Sequence, residues 1–226
     1  MSTLKRVFLA GSSGEIGKRL MSNLIACNSI AEIHILVRTP TTPIGPKVHQ
    51  HIVDFNDLTS TVIPNLNKLS TISFCTLGTT IKKAGSRQNF QEVDLTYVEN
   101  FANWCLSNDC DQLAVISSVD ANRSGSNFYL KTKKAMETSL SNLPLHTLWI
   151  FRPSLLLGDR KNFRLGERLG GLASRFIGPL LIGPYEKYKP IHMDAVAKAL
   201  SNLVASNDEG IYILEGAKIK ALADRA

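Results

Sequence analysis

The stretch "FLAGSSGEIGKRL", residues 8–20, sets three glycines three apart, Gly11, Gly14 and Gly17, between an apolar run and a helical one. A chain leaving a strand here has to turn sharply, admit a diphosphate to its backbone and start a helix packed on a sheet. Glycine suits each of those tasks. The amides opening the helix then face the phosphates with the favourable end of the helix dipole. An ordinary Gly/Ser turn is the competing reading, and the context decides against it. The loop follows "RVFLA" (6–10), precedes "EIGKRLMSNLIA" (15–26) and opens a repeated strand–helix series. Residues Gly11, Ser12, Ser13, Gly14, Glu15, Ile16 and Gly17 are therefore the expected cradle of a dinucleotide.

Outward from this loop the alternation continues. Apolar, β-rich runs recur as "EIHILV" (32–37), "HIV" (51–53), "TISFCT" (71–76), "QLAVIS" (112–117), "HTLWIF" (146–151) and "IYILE" (211–215), with "PIHM" (190–193) weaker. Their continuous apolar character is that of strands buried on both faces, so the sheet is expected to be parallel. Between them, Phe90, Val93, Tyr97, Val98, Phe101, Trp104 and Cys105 repeat at three and four, which predicts a sheet-covering helix over 89–106. Leu130, Ala135, Met136, Leu140 and Leu143 mark a second helix over 129–143, ended by Pro144. A third runs over 194–205 with Asp194 as its expected cap. The fold class is α/β: a doubly wound parallel sheet, Rossmann-like, in three layers with right-handed crossovers, as a single domain over 1–226. The prolines of "TPTTPIGPK" (39–47) predict a loop where a crossover helix would otherwise lie. Residues 158–190, with six glycines and three prolines, are expected to form a substrate-side flap.

Composition narrows the function. The longest apolar runs, "SLLL" (154–157) and "PLLI" (179–182), fall far short of the roughly 18 residues a membrane span needs, so no membrane partner is expected. The start "MSTLKRVFLAG" lacks a cleavage-like region, and four cysteines without C-x-x-C spacing read as reduced thiols, which together predict a cytoplasmic protein. Net charge is +7, with basic clusters at Lys82, Lys83, Arg87 and at Arg160, Lys161, Arg164, Arg168. They are not interleaved with aromatics, so no nucleic-acid partner is expected; a solvated face or a phosphorylated ligand fits better.

The end of the second strand selects the nucleotide. A site for NAD places a carboxylate there for the ribose 2′-hydroxyl, whereas this chain has Val37-Arg38. A guanidinium forks onto a 2′-phosphate, so NADP is favoured over NAD. Chemistry points to "SSVDANRSGSNFYLKTK" (117–133), a serine pair at a strand end and then Tyr129 and Lys133 on one helix face. A phenol with a pKa near 10 exchanges protons at neutral pH once its charged form gains about 4 kcal/mol. A lysine cation about 4 Å away supplies roughly that at an effective dielectric of 20. Other candidates have plainer readings. His49 and His51 lack a third ligand, so no metal is expected; His192 and Asp194 end a strand and cap a helix; Glu137 pairs with Lys133 within the helix; Trp104 and Trp149 are core.

Taken together, "GSSGEIG" (11–17), "LVR" (36–38), "VDFND" (53–57), "CTLGTT" (75–80), "FQEVDLTYV" (90–98), "ISS" (116–118), "YLKTK" (129–133), "FRPSLLLGDR" (151–160) and "PIHMDAVAKA" (190–199) make a specific pattern along nearly the whole chain. It resembles the atypical branch of the short-chain dehydrogenase/reductase superfamily, most closely the Tat-interacting-protein oxidoreductase-like group. The resemblance implies Tyr129 as general acid/base, Lys133 lowering its pKa and binding the nicotinamide ribose, and Ser118 polarising a carbonyl. Ser117 stays open as the alternative, since the Ser118-to-Tyr129 separation of 11 residues is short for the family. It further implies Asp54 and Phe55 at the adenine, Leu77, Gly78 and Thr79 along the ribose, and Pro153, Ser154 and Leu155 near the nicotinamide. Only 27 residues follow "PIHMDAVAKA", which favours a small carbonyl substrate over a nucleotide sugar. The expected protein is an NADP(H)-dependent oxidoreductase, monomer or homodimer. The rival is a regulator that senses NADP(H) and passes that state to a protein partner, with the basic cluster at 160–168 as a surface.

Overall fold

The computed structural model describes residues 4–41, 45–63, 69–123, 125, 127–158 and 183–225. Strand β1 (Lys5–Ala10) leads through the glycine loop into α1 (Glu15–Ala26), and β2 (Ile30–Val37) follows. Next come β3 (Val48–Ile52), β4 (Ser70–Cys75), the short helices α2 (Ile81–Ala84) and α3 (Arg87–Gln91), one π-helical stretch Glu92–Thr96, and α4 (Tyr97–Leu106). The chain continues with β5 (Gln112–Ile116), α5 (Phe128–Ser141), β6 (Thr147–Arg152), β7 (Leu156–Leu157), β8 (Ile191–His192), α6 (Met193–Asn202), β9 (Gly210–Glu215) and α7 (Gly216–Ala223).

Seven strands form one parallel sheet in the order β3-β2-β1-β4-β5-β6-β9, while β7 and β8 make a separate short parallel pair. Residues Arg6 to Ala10 of β1 are all buried, with β2 on one side (Val7 opposite Ile33) and β4 on the other (Val7 opposite Ile72). Successive β1 side chains feed opposite layers, as the two-residue period requires. Val7 and Leu9 join α1, α6 and α7 through Leu20, Leu24, Val196, Leu200 and Ile219, whereas Phe8 and Ala10 join α4 and α5 through Phe101, Trp104, Met136 and Leu140. This is the three-layered, doubly wound arrangement the continuous apolar runs predict. Strand order reverses between β1 and β4, so the loops leaving their carboxyl ends diverge and open a crevice.

The differences from expectation are local. β3 begins at Val48, not at 51; it is an edge strand with His49 and Gln50 exposed, where polar residues carry no burial cost and so give no apolar signal. The predicted helix over 89–106 is three segments joined without a break, the middle one π-helical. Asp194 does not cap α6. His192 occupies the cap, and Asp194 lies in the first turn, where it accepts from Arg19 of α1 at 2.9 Å and ties the two helices together. The expected flap is described only at Gly158 and at 183–190, whose Gly183–Tyr188 part is a 3-10 turn. The basic cluster Arg160, Lys161, Arg164 and Arg168 lies outside the described residues. Among the described residues no helix is long and apolar enough to cross a membrane.

Candidate functional site

The glycine loop is shaped by contact on both sides. Gly11 has φ +87°, and a Cβ there would lie 2.6 Å from the carbonyl carbon of Thr76. A Cβ on Gly17 would sit 2.1 Å from the Gly11 carbonyl oxygen, so α1 starts directly on the loop. Gly14 caps α1 with no side-chain acceptor, which leaves the first-turn amides uncapped by the protein and turned to the crevice end of the sheet. A cavity of about 420 Å³ opens there, with Gly11, Ser13 and Gly14 on one wall and Thr76 to Thr79 on the other. Exposed Arg38, at the end of β2, stands at its rim. The carboxylate of Glu15 is taken by Arg19 at 3.0 Å. Ser12 is buried, and Ile16 packs on the core. Lys83, Asn89 and Tyr97 also line the cavity, and nothing in their sequence spacing singles them out.

Several expected cofactor residues lie apart from this lining. Asp54 is exposed, and its carboxylate accepts from the Asn56 amide at 2.9 Å. Phe55 is a core residue whose ring stacks on Tyr97, centroids 5.7 Å apart, so Tyr97 is what reaches the cavity. At the end of β6, the Pro153 carbonyl accepts from Val119 N–H at 3.1 Å, Ser154 donates to the Lys189 carbonyl, and the Leu155 carbonyl accepts from Ile191 N–H at 3.0 Å.

The acid/base candidates sit on α5, whose first turn is capped by Asn127 accepting from Leu130 N–H at 3.2 Å. Half-buried Tyr129 packs its ring against Phe90, centroids 5.6 Å apart. One turn on, Lys133 is buried; its Nζ lies 2.8 Å from Asp94 Oδ1 and donates to the Ile116 carbonyl at 3.2 Å. Burial pulls the Lys133 ammonium down, but the Asp94 carboxylate and the neighbouring Tyr129 more than offset it and hold the ammonium above its ordinary range. Asp94 Oδ2 also accepts from the Thr79 amide at 2.8 Å, which joins the lysine to the cavity wall. Asp94 lies within "FQEVDLTYV", and its one legible signal is a carboxylate between apolar positions of a helix.

The two serines divide. Ser117 is buried, its hydroxyl donating to Glu137 Oε1 at 2.5 Å, and Arg152 grips the same carboxylate through Nε at 2.9 Å and Nη2 at 2.6 Å. Glu137 is therefore not the partner of Lys133. The lysine is committed to Asp94, and the guanidinium fork matches Glu137 bidentately. Ser118 is half-buried, with its carbonyl accepting from Ala121 N–H at 3.2 Å. Cys75, at the end of β4, is pushed up to about 12 by burial and stays a thiol.

On β2, His34 Nδ1 lies 2.9 Å from His51 Nε2 and its ring stacks on His49. Among the described residues no group of His, Cys, Asp or Glu has the geometry to hold a metal ion.

The topology and the glycine cradle together define a Rossmann-like domain. No family profile matches the chain. It is 33% identical over 218 residues to Protein HTATIP2 of Rattus norvegicus, covering 95% of this chain and 88% of that protein. It is 27% identical over 195 residues to Protein FMP52, mitochondrial, of Candida albicans, covering 84% of each. Among solved structures, human epimerase family protein SDR39U1 (isoform 2) with NADPH superposes with TM-score 0.62 at 18% identity, over 98% of this chain and 81% of that one. The chain belongs to the HTATIP2 family of atypical short-chain dehydrogenase/reductases. The expected cytoplasmic location is overturned by the FMP52 relatives, which are named mitochondrial. That expectation leaned on the stretch "MSTLKRVFLAG" lacking a cleavage-like region and on reduced cysteines, which do not separate one thiol-reducing compartment from another.

Proposed function

We propose that the protein is an NADP(H)-dependent oxidoreductase acting on a small carbonyl or alcohol, with Tyr129 as general acid/base. The observation that carries this reading is the Asp94 carboxylate joining Lys133, one turn from Tyr129, to Thr79 on the cavity wall. The residues present fit a dinucleotide: a Cβ at Gly11 or Gly17 would collide with the Thr76 or Gly11 backbone, so glycine alone lets the loop close onto α1, and the uncapped amides of α1 suit a diphosphate. Gly11, Ser12, Ser13, Gly14, Glu15, Ile16 and Gly17 would supply that cradle, Arg38 a fork for a 2′-phosphate, and Leu77, Gly78 and Thr79 the ribose wall. Lys83 lines the same cavity and adds a second cation to it. NADPH in SDR39U1 agrees with this choice of nucleotide, and NAD stands second.

When bound, the cofactor supplies or accepts a hydride at the nicotinamide. The chain's own part is proton handling and orientation. Tyr129 gives the substrate oxygen its proton in reduction and takes it back in oxidation. Lys133 stabilises the phenolate that remains, and half-buried Ser118 donates to the carbonyl oxygen. Ser117 has its hydroxyl engaged by Glu137 and holds the strand end in place. Pro153, Ser154 and Leu155 border the nicotinamide end, and Asp54 and Phe55 support the adenine end through Tyr97. The test is Tyr129→Phe assayed with NADPH across a panel of small aldehydes and ketones. Turnover falling at least a hundredfold with cofactor affinity retained supports the reading; unchanged turnover rejects Tyr129. Tight NADPH binding by the wild-type protein without turnover of any carbonyl would favour the sensing regulator.

A further inference from the structure

Lys133 is a buried cation whose neighbours can be named from every side. Asp94 faces it from the π-helical stretch, Tyr129 from its own helix, the Cys75 thiol from the end of β4 and the Ile116 carbonyl from β5. Glu137, one turn further along α5, is taken by Arg152 and Ser117. Asp94 is thus the carboxylate paired with this ammonium among the described residues, and it is 1% exposed. Its second oxygen is spent on the Thr79 amide, next to Gly78 on the cavity wall. A π-helical turn widens the helix locally and recurs at functional positions. Here it delivers the buried Asp94 carboxylate to the buried Lys133 ammonium.

We infer that Asp94 is a positioning residue, one carboxylate that fixes the Lys133 ammonium with one oxygen and the cofactor-side loop with the other. This rests on the reading of Tyr129 and Lys133 as the acid/base pair. The ammonium is kept charged in a site that would otherwise favour the neutral amine, and it cannot swing away when the cavity is empty. The same carboxylate keeps the lysine charged and in place one turn from Tyr129. Thr79 transmits the arrangement to the wall on which the ribose would lie.

Asp94→Asn separates the two duties. The amide oxygen still accepts from Thr79 N–H, so the loop is kept, while Lys133 loses both the negative charge and the acceptor it faced, an NH2 taking that place. The experiment is an NMR titration of the cofactor-free protein with isotope-labelled lysines, the Lys133 signal assigned through Lys133→Arg. The expected result is a Lys133 midpoint at least one pH unit lower in Asp94→Asn, a tenfold loss of proton affinity, with the other lysines unmoved. An unchanged midpoint in a folded variant overturns the proposal. Should Asp94→Asn not fold, the wild-type protein decides: the Asp94 carboxyl carbon has to shift in step with Lys133, and a flat response through that titration overturns it equally. Neither readout uses substrate or cofactor. Tyr129→Phe that keeps turnover would sink the acid/base reading and leave the ion pair standing, whereas an unmoved Lys133 midpoint does the reverse.

Discussion

Replacing Arg152 by Met tests the network under the end of the sheet. Both side chains of the Arg152–Glu137 pair are 8% exposed, and the guanidinium makes two hydrogen bonds to the carboxylate, at 2.9 and 2.6 Å. With the arginine gone, Glu137 keeps one hydroxyl donor, Ser117, against a buried negative charge. Stranding one member of a buried pair costs about 3–5 kcal/mol. The second contact of Arg152, Glu215 at 3.4 Å, is partly exposed and adds little. For a chain of 226 residues each kcal/mol moves Tm by roughly 2–4 °C, so melting should fall by about 6–20 °C. The double change Arg152→Met with Glu137→Leu removes both charges and leaves only the Ser117 hydroxyl without its acceptor, a cost of about 1–3 kcal/mol. Its melting point should therefore lie above that of Arg152→Met. The assay is thermal and urea unfolding at pH 7 followed by circular dichroism. A single mutant melting within about 2 °C of the wild type, or a double mutant no better than the single, would refute the reasoning.

Two further outcomes follow from named contacts. Gly17→Ala puts a methyl 2.1 Å from the Gly11 carbonyl oxygen, so the loop must move; we expect a loss of about 1–3 kcal/mol in urea unfolding together with weakened NADPH binding, and a stable variant with full affinity would contradict it. Burial, with the neighbouring His51 and His49, lowers His34 from 6.5 to about 4 against a raising contribution from Glu32. The folded state then binds fewer protons than the unfolded chain between these values. The stability His34 confers is full above pH 6.5 and is lost as pH falls towards about 4. The full shift corresponds at most to about 3 kcal/mol, and its sharing with the stacked His49 and His51 reduces it to roughly 1–2 kcal/mol. Urea unfolding of His34→Phe should show that much less pH dependence between pH 7 and 4 than the wild type, and identical profiles would rule the assignment out.

What was legible in the sequence is what burial and backbone geometry impose locally. The runs at β1, β4, β5 and β6 are apolar because both sheet faces cover them, and the glycine loop is written in residues that alone fit beside Thr76 and the Gly11 carbonyl. Tyr129 and Lys133 were legible because one helical turn relates them. Partners brought together from distant elements were not. Nothing in the spacing of Glu137 tells that Arg152, 15 residues on, outcompetes Lys133, four residues back. Asp94 and Thr79 likewise meet only through the fold, although both lie in stretches that carry the family resemblance. The first half of the edge strand β3, residues 48–50, escaped because solvent covers one side and lets histidine and glutamine stand where a buried strand needs apolar residues. Phe55 was expected at a ligand, yet its ring went to the core and left the cavity to Tyr97.

The central claim is that a 2′-phosphorylated dinucleotide lies across the α1 amides with Arg38 on its phosphate. Calorimetric titration of the wild-type protein and of Arg38→Gln with NADPH and with NADH addresses it directly. A charge-assisted hydrogen bond to an exposed phosphate is worth about 1.5 kcal/mol or more, so the account predicts one NADPH bound per chain, at least about tenfold tighter than NADH, and that margin lost in Arg38→Gln. Absence of heat with either nucleotide, or equal affinities that the Arg38 change leaves untouched, would contradict it.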